Sequence, residues 1–274
     1  MNPSLVGSEM CIRDRLDGGG GATDTMSISQ ASITTVNALT STGAAALAAN
    51  ITGFERISIS DAVTSAVNMA DFGTSSNRLS LVASVNGAQT ISGLNSGTTI
   101  VNSVTPAGAT SDQITLSTTG AATGTADTIT LIFDGGAAID YGVFGLSGYE
   151  TITVNATEAT ANGALRVGTM DLSVTQAGGA QSTVNFTGTE SVTLSAAVDA
   201  QVVNASALGG VLSMSAGSTA GSQTITGSAG VDTLRGSSSG DTINGGEGAD
   251  NLFGGAGSDV INGGAGGDEI SGDG

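Results

Sequence analysis

Five aspartates recur at a constant spacing near the C-terminal end of the sequence. They lie nine residues apart and stand sixth in five successive nonapeptides that begin at Gly227: Asp232, Asp241, Asp250, Asp259 and Asp268. Glycine fills the first place of every copy and most of the second and fourth places. Glycine adopts backbone conformations closed to other residues, so carbonyl oxygens can turn inward. Carbonyl and carboxylate oxygens are the ligands that Ca²⁺ prefers, and the spacing therefore predicts calcium binding.

The pattern resembles the nonapeptide G-G-x-G-x-D-x-U-x of the repeats-in-toxin (RTX) calcium-binding family, in which U is aliphatic. The aliphatic places hold Leu234, Ile243, Leu252, Ile261 and Ile270. Two copies depart from the pattern. Ser228 replaces the second glycine of the first copy, and Ser237 and Ser239 replace the second and third glycines of the second copy.

The resemblance implies that successive nonapeptides form alternate half-turns of a parallel β-roll, so that loops two repeats apart stack. The implied calcium sites pair Asp232 with Asp250, Asp241 with Asp259, and Asp250 with Asp268. Backbone carbonyls of the fourth-place glycines and their neighbours would complete these sites: Gly230, Gly248, Gly257 and Gly266.

The metal is needed because the repeats bury little apolar surface. Five aliphatic side chains contribute on the order of 10 kcal/mol. Ordering about 45 residues costs several times that, at roughly 1–2 kcal/mol each. We therefore expect residues 227–271 to be disordered without Ca²⁺ and to fold on binding it. The alternative, a flexible Gly/Asp linker, explains neither the fixed phase nor the aliphatic eighth place.

A longer repeat precedes the nonapeptides. "ITGFERISIS" (51–60), "LSGYETITVN" (146–155) and "FTGTESVTLS" (186–195) share a glycine, a glutamate two residues later and an alternating segment. Short alternating strands and glycine turns with a period near 40 residues predict a parallel β-solenoid, with two coils per unit. A series of β-sandwich domains is the alternative. Helix is disfavoured except over 38–50, as a capping helix.

The glutamates that recur in these units are Glu55, Glu150 and Glu190. Their repetition at one point of each unit favours a structural role, in which they accept hydrogen bonds from turn amides, over a catalytic one. A further segment, "DGGGGATDTMSIS" (17–29), resembles the close of a nonapeptide, with Asp24 and Met26 in the aspartate and aliphatic places. It is either an isolated calcium half-site or the start of the solenoid.

Three segments follow from these patterns. Residues 4–15, "SLVGSEMCIRDR", resemble a translated sequencing adapter, and we set residues 1–16 apart as an artefact or disordered. Residues 17–226 form the solenoid body, and residues 227–274 form the RTX β-roll, which we expect to be truncated. The predicted fold class is all-β: a parallel β-solenoid followed by a calcium-binding β-roll.

Composition narrows the possible functions. The formal net charge is −18 and the sequence contains no histidine, which disfavours nucleic acid as a partner and histidine-based catalysis. No apolar run is long enough to span a membrane. We expect no enzyme activity, and calcium ions as ligands.

The family resemblance implies type I secretion and an extracellular or bacterial cell-surface location. The body is similar to that of RTX-type surface-layer (S-layer) proteins, which suggests self-association or binding to cell-surface polysaccharide. The alternative is the C-terminal part of a secreted RTX adhesin or enzyme whose functional module is missing from this sequence.

Overall fold

A computed structural model describes residues 16–20, 23–73, 76–82, 87–102, 113–118, 127–133, 140–157, 167–175, 182–217 and 221–273. The adapter-like segment 4–15 lies outside these residues. The described chain is mainly parallel β-strand, with two α-helices near its N-terminal end. This confirms the predicted fold class.

The elements follow one another in a simple alternation, interrupted once by the helices. They are β1 (Leu16–Asp17), β2 (Thr25–Ile28), α1 (Gln30–Asn37), α2 (Ser41–Ala49), β3 (Ile51–Thr52), β4 (Arg56–Ile59), β5 (Val67–Asn68), a 3₁₀ helix (Met69–Phe72), β6 (Arg78–Leu81), β7 (Ala88–Leu94), β8 (Thr98–Asn102), β9 (Gln113–Thr118), β10 (Thr128–Phe133), β11 (Asp140–Ser147) and β12 (Thr151–Ala156). The later strands are β13 (Val167–Thr175), β14 (Thr183–Gly188), β15 (Ser191–Thr193), β16 (Val202–Leu208), β17 (Leu212–Ser215), β18 (Thr224–Thr226), β19 (Thr233–Arg235), β20 (Thr242–Glu247), β21 (Asn251–Phe253), β22 (Val260–Ala265) and β23 (Glu269–Ser271).

Two long parallel sheets share these strands. The even-numbered strands from β2 to β22 form an eleven-stranded sheet in sequence order, and the odd-numbered strands from β5 to β23 form a ten-stranded sheet. Strands β1 and β3 pair separately. Each turn of the solenoid, which we call a coil, contributes one strand to each long sheet. Both sheets continue without a break across residue 227, because β18 pairs with β16 and with β20 in one sheet and β17 pairs with β19 in the other.

The core lies between the two sheets and consists of stacked apolar ladders. In one ladder, in-register pairs join Met26, Ile57, Leu79, Ile100, Leu131, Val154 and Phe186. All of these side chains are buried. Alternating strand residues reach this interior because successive side chains of a strand point to opposite faces. The predicted period-two pattern therefore marks the core-facing positions.

The helices lie beside the first coils of the solenoid. Helix α2 occupies the segment in which the sequence predicts a capping helix, and the Thr40 side chain caps it by accepting from Gly43 N. Helix α1 is not predicted, because its threonines and isoleucine disfavour helix. It forms because Ser29 caps its N-terminus and because Ile33 and Val36 are buried. The restriction of helix to 38–50 is therefore wrong.

Coil length varies along the chain. In-register partners are 32 residues apart between β12 and β14, where Thr151 pairs with Thr183, and 18 apart between β18 and β20, where Thr224 pairs with Thr242. The glycine spacing consequently spans two coils over the 39 residues from Gly188 to Gly227, but only three described strands, β12 to β14, over the 40 residues from Gly148 to Gly188. Eighteen residues are two nonapeptides, so the roll has one nonapeptide per strand.

Burial of the aliphatic eighth places declines toward the last strands. Leu234, Ile243 and Leu252 are fully buried, whereas Ile261 is partly buried and Ile270 is 50% exposed. Strands β22 and β23 end the two sheets, and no further coil of the described chain covers them. Separately, neither helix found in the described residues has the length and apolarity that crossing a bilayer would require.

Candidate metal centre

Each nonapeptide aspartate stands immediately before a strand of the roll. Asp232, Asp250 and Asp268 precede β19, β21 and β23, which are neighbours in the ten-stranded sheet. Asp241 and Asp259 precede β20 and β22 in the other sheet. The strands pair in register, since Thr233 pairs with Asn251 and Asn251 with Glu269 in one sheet, and Thr242 pairs with Val260 in the other. The aspartates that precede these residues therefore stack in two rows. The structure thus brings together the pairs that the sequence predicts.

One oxygen of each carboxylate is used in a hydrogen-bond ladder. The Oδ1 atom accepts a backbone amide from the preceding coil, and in the first row the donors are Leu212 N to Asp232 (2.7 Å), Asp232 N to Asp250 (2.8 Å) and Asp250 N to Asp268 (3.1 Å). The second row repeats this, with Gln223 N donating to Asp241 (2.7 Å) and Asp241 N to Asp259 (2.8 Å). The ladder fixes the carboxylates and explains why one acidic residue recurs before each strand of the roll.

The second oxygen of Asp250 has no hydrogen-bond partner within the described residues, although the side chain is 0% exposed. It lies against the Cα of Gly245, where a Cβ would overlap both this Oδ2 atom and the carbonyl oxygen of Gly263 on the next coil. An anionic oxygen and a carbonyl oxygen therefore converge in a buried place with no donor. A buried polar atom of this kind requires a partner.

Asp259 repeats the arrangement in the second row. Its Oδ2 atom is also buried and lacks a partner in the described chain. It lies beside Gly254, on which a Cβ would meet both that atom and the carbonyl oxygen of Gly272. Among the described residues, each row of the roll thus has one buried carboxylate oxygen without a donor, Oδ2 of Asp250 or of Asp259.

The charge environment of Asp250 is unfavourable to its ionised form. Burial raises the pKa of this carboxyl above its usual range, and the charges of Asp232 and Asp268 raise it further. The hydrogen bond from Asp232 N acts in the opposite direction and does not cancel them. A bound cation would favour the ionised form and would screen the like charges from one another.

The first two copies are built differently. Ser228 N donates to Asp232 Oδ2 (2.5 Å) and its hydroxyl donates to Oδ1 (2.6 Å). Ser237 donates to Asp241 Oδ2 from both its backbone nitrogen (2.6 Å) and its hydroxyl (2.9 Å). These carboxylates consequently have partners at both oxygens. The sequence flags both serines as departures but does not reveal these contacts.

The fourth-place glycines occupy the turns immediately before the aspartates. Gly248, Gly257 and Gly266 have φ of 119°, 117° and 142°, whereas Gly230 is outside this left-handed region. The carbonyl of Gly230 points along the stack toward the Cα of Gly248, and that of Gly248 points toward Gly266. The carbonyls that a Cβ on Gly245 or Gly254 would meet together with the free carboxylate oxygens belong instead to Gly263 and Gly272, the first-place glycines of the next coil. The sequence pattern covers these two only as unnamed neighbours of the predicted carbonyls.

The donor set fits Ca²⁺ better than a metal that needs several side-chain ligands. No group of three or more His, Cys, Asp or Glu side chains suited to a metal occurs in the part of the chain that the structure describes. The candidate positions offer single carboxylate oxygens beside backbone carbonyls. Hard oxygen donors that include backbone carbonyls are typical of calcium sites.

The glutamates of the body occupy the same structural position as the aspartates of the roll. Glu55 accepts a hydrogen bond from Asp24 N (3.0 Å) and Glu150 from Asp127 N (2.6 Å), each donor lying on the preceding coil. Each glutamate follows a glycine of positive φ by two residues, as Asp250 follows Gly248. These contacts agree with the predicted structural role, and the shared signal is Gly-x-(Asp/Glu). Glu190, by contrast, accepts from the Thr189 hydroxyl (3.2 Å).

The segment 17–29 forms the start of the solenoid. Asp24 stands immediately before β2, the first strand of the eleven-stranded sheet. Met26 is buried and pairs in register with Ile57. The structure therefore agrees with the second of the two alternatives for this segment.

Comparison with known protein families identifies the C-terminal segment. A family model described as the RTX calcium-binding nonapeptide repeat, in four copies, matches residues 218–252 and 244–274. No curated protein matches the chain. Residues 218–274 therefore carry RTX calcium-binding repeats, as their sequence predicts, and such repeats are typical of secreted proteins.

Proposed function

We propose that this chain is an extracellular structural protein whose C-terminal roll is ordered by Ca²⁺. The observation that carries the proposal is the buried Oδ2 atom of Asp250, which has no donor within the described residues and faces the carbonyl of Gly263. Asp259 supports it with the same arrangement in the other row. Of the predicted ligands, these two carboxylates are the ones that the fold leaves most in need of a cation.

The cation would offset a like-charge stack. Neighbouring coils are about 4.8 Å apart. Two unscreened carboxylates at that distance repel by about 3–4 kcal/mol at an effective dielectric constant of about 20. When bound, Ca²⁺ supplies positive charge and accepts oxygen ligands from both coils. Because the stacked coils bring those ligands together, the affinity for the metal contributes directly to folding.

A structural role suits the body better than a catalytic one. Its two sheets enclose a continuous apolar core, and Glu55 and Glu150 are engaged by backbone amides rather than grouped in a cleft. The sequence also contains no histidine. We propose that the protein is exported while low calcium keeps the roll unfolded, and that it assembles at the bacterial surface as an S-layer-like component.

Hydrogen exchange of the full chain tests the calcium dependence. Amides of β21 to β23 should exchange much more slowly in millimolar CaCl₂ than in chelator, while amides of β8 and β10 in the body should change little and serve as the internal control. Equal exchange of the roll in both conditions, together with no calcium uptake by titration calorimetry, would contradict the proposal.

Self-association needs a separate measurement. Sedimentation velocity of the full chain should show larger particles in CaCl₂ than in chelator if calcium promotes assembly. A monomer at every protein concentration in both conditions would remove the S-layer-like role and leave calcium binding intact.

A further inference from the structure

The five nonapeptide loops are of two kinds. In the third, fourth and fifth copies the second place is glycine with positive φ, at 111° for Gly246, 92° for Gly255 and 97° for Gly264. In the first two copies it is Ser228 or Ser237, and neither serine has positive φ. A residue other than glycine rarely adopts the left-handed backbone conformation, so the backbone of the first two loops follows a different path from that of the last three.

The path of the serine loops directs donors onto the carboxylate. As described above, each serine donates its backbone N–H and its hydroxyl to the aspartate four residues later. The hydroxyl oxygens are themselves held, because Gly230 N donates to Ser228 Oγ and Ser239 N to Ser237 Oγ, both at 3.0 Å. We call this arrangement the serine clasp.

The clasp separates carboxylates that are otherwise alike. Asp232, Asp241 and Asp250 are all at most 1% exposed, so solvent satisfies none of them. The Oδ2 atoms of Asp232 and Asp241 receive serine donors, whereas that of Asp250 receives none from the described chain. Hydrogen bonds to an ionised acceptor are roughly twice as strong as neutral ones, and the clasp supplies them without a metal.

We propose that Ser228 and Ser237 replace calcium in the first two nonapeptides, so that these copies fold without the metal and the calcium response is confined to the positions of Asp250 and Asp259. This inference rests on the proposed function and narrows it. Of the three aspartate pairs predicted as sites, only Asp250–Asp268 has no member held by a clasp. In the other row, Asp241 is held by a clasp, and the open position is the Oδ2 atom of Asp259 beside the Gly272 carbonyl.

The clasp also gives the roll a direction of assembly. The first two copies continue the sheets of the body, because β19 pairs with β17 and β20 with β18. Ordered without metal, they present β19 and β20 as a template for the later coils. Calcium then adds the coils that depend on Asp250 and Asp259.

The test compares the full chain with the double variant Ser228→Gly/Ser237→Gly, which restores glycine at the second place of both copies. In chelator, amides of β19 and β20 in the double variant should exchange at least about tenfold faster than in the unaltered chain, the ratio expected for losing a hydrogen bond to a charged group. CaCl₂ should restore their protection. Calorimetry should show up to about two more Ca²⁺ bound per chain, one for each freed carboxylate.

Two further variants separate the causes. Ser258→Gly, at an exposed serine of the fourth copy, introduces the same flexibility without touching an aspartate and should leave exchange and stoichiometry unchanged. Ser228→Ala/Ser237→Ala removes the hydroxyls but keeps the backbone donors and should have an intermediate effect. Body amides in the same spectra report whether each variant is folded.

The outcomes distinguish this inference from the proposed function. Unchanged exchange in chelator and an unchanged calcium stoichiometry in the Ser→Gly double variant would overturn the clasp. Absence of calcium uptake by the unaltered chain would overturn the proposed function, and the exchange difference in chelator would still decide whether the clasp exists.

Discussion

Replacing Asp250 by asparagine should stabilise the metal-free roll and abolish the calcium response of the row to which Asp250 belongs, at β21 and β23. Asparagine has the shape of aspartate, so its Oδ1 atom can still accept from Asp232 N, which donates at 2.8 Å in the unaltered chain. The amide nitrogen takes the place of the Oδ2 atom that has no partner among the described residues. That nitrogen lies beside Gly245 together with the carbonyl oxygen of Gly263, and we expect it to donate to that carbonyl.

The size of the gain follows from the charges removed. In chelator, Asp250 lies between Asp232 and Asp268, whose charges both raise its pKa. Each neighbour at about 4.8 Å repels it by about 3–4 kcal/mol before salt screening and partial protonation reduce the effect. Turning the ladder bond into a neutral one costs about 1 kcal/mol. We expect a net stabilisation of about 2 kcal/mol, or about thirtyfold slower exchange of β21 amides.

Asp241→Asn is the matched control, with the opposite expected sign. Its carboxylate accepts from Gln223 N at one oxygen and from the nitrogen and hydroxyl of Ser237 at the other. An amide group must turn its NH₂ toward one of these donors. The variant loses charge-assisted hydrogen bonds worth about 1.5–3 kcal/mol each. This loss should outweigh the reduced charge repulsion from Asp259, the one carboxylate stacked on Asp241, so the metal-free roll should become less stable.

Hydrogen exchange in chelator and in millimolar CaCl₂ measures both variants. Calcium at one hundred times its dissociation constant adds about 2.7 kcal/mol to a site, and Asp250→Asn should lose that gain for β21 and β23. Faster exchange of Asp250→Asn in chelator, or slower exchange of Asp241→Asn, would refute the assignment of which carboxylate oxygens have donors.

Three further predictions concern the glycines, the body and the metal. Gly264→Ala should destabilise the last coils by about 1–3 kcal/mol. The reason is that φ of Gly264 is +97° and a Cβ there would overlap the carbonyl oxygen of Gly246 on the preceding coil. Gly267→Ala is the control and should change hydrogen exchange of β23 little, because nothing lies within 4 Å of a Cβ at that position. Glu150→Ala should lower the denaturant midpoint of the body, because it removes the hydrogen bond from Asp127 N on the preceding coil. A hydrogen bond to a charged group is worth about 1.5–3 kcal/mol. Glu247→Ala, at an exposed glutamate, is the control and should leave that midpoint unchanged. Mg²⁺ should not replace Ca²⁺ in protecting the roll, since it requires near-ideal octahedral ligands and retains its waters; equal protection by both ions at equal concentration would contradict a carbonyl-rich site.

The architecture of the roll was predictable because its coil is a whole number of repeats. Two nonapeptides make the 18-residue coil, so each residue stacks on its equivalent and the aspartates align. In the body, the repeat length and the coil length do not correspond in this way. Coil lengths there range up to 32 residues, and the 40-residue glycine spacing therefore does not report the number of coils.

Helix α1 shows where local propensity misleads. Its sequence, "QASITTVN", is rich in β-branched residues. The Thr34 and Thr35 hydroxyls donate to the carbonyls four residues earlier, and burial of Ile33 and Val36 supplies stability that propensity does not anticipate.

Periodicity and residue type were enough to predict the parallel coils, the stacking of one carboxylate before each strand of the roll, and the oxygen-rich chemistry typical of calcium sites. In the sequence pattern the five aspartates are equivalent. Which of their oxygens lack a donor within the described residues depends on the tertiary path of each loop, because its second residue either turns a donor toward the carboxylate or leaves the carboxylate beside a carbonyl of the next coil. Backbone path, and not spacing, makes Asp250 and Asp259 different from Asp232 and Asp241.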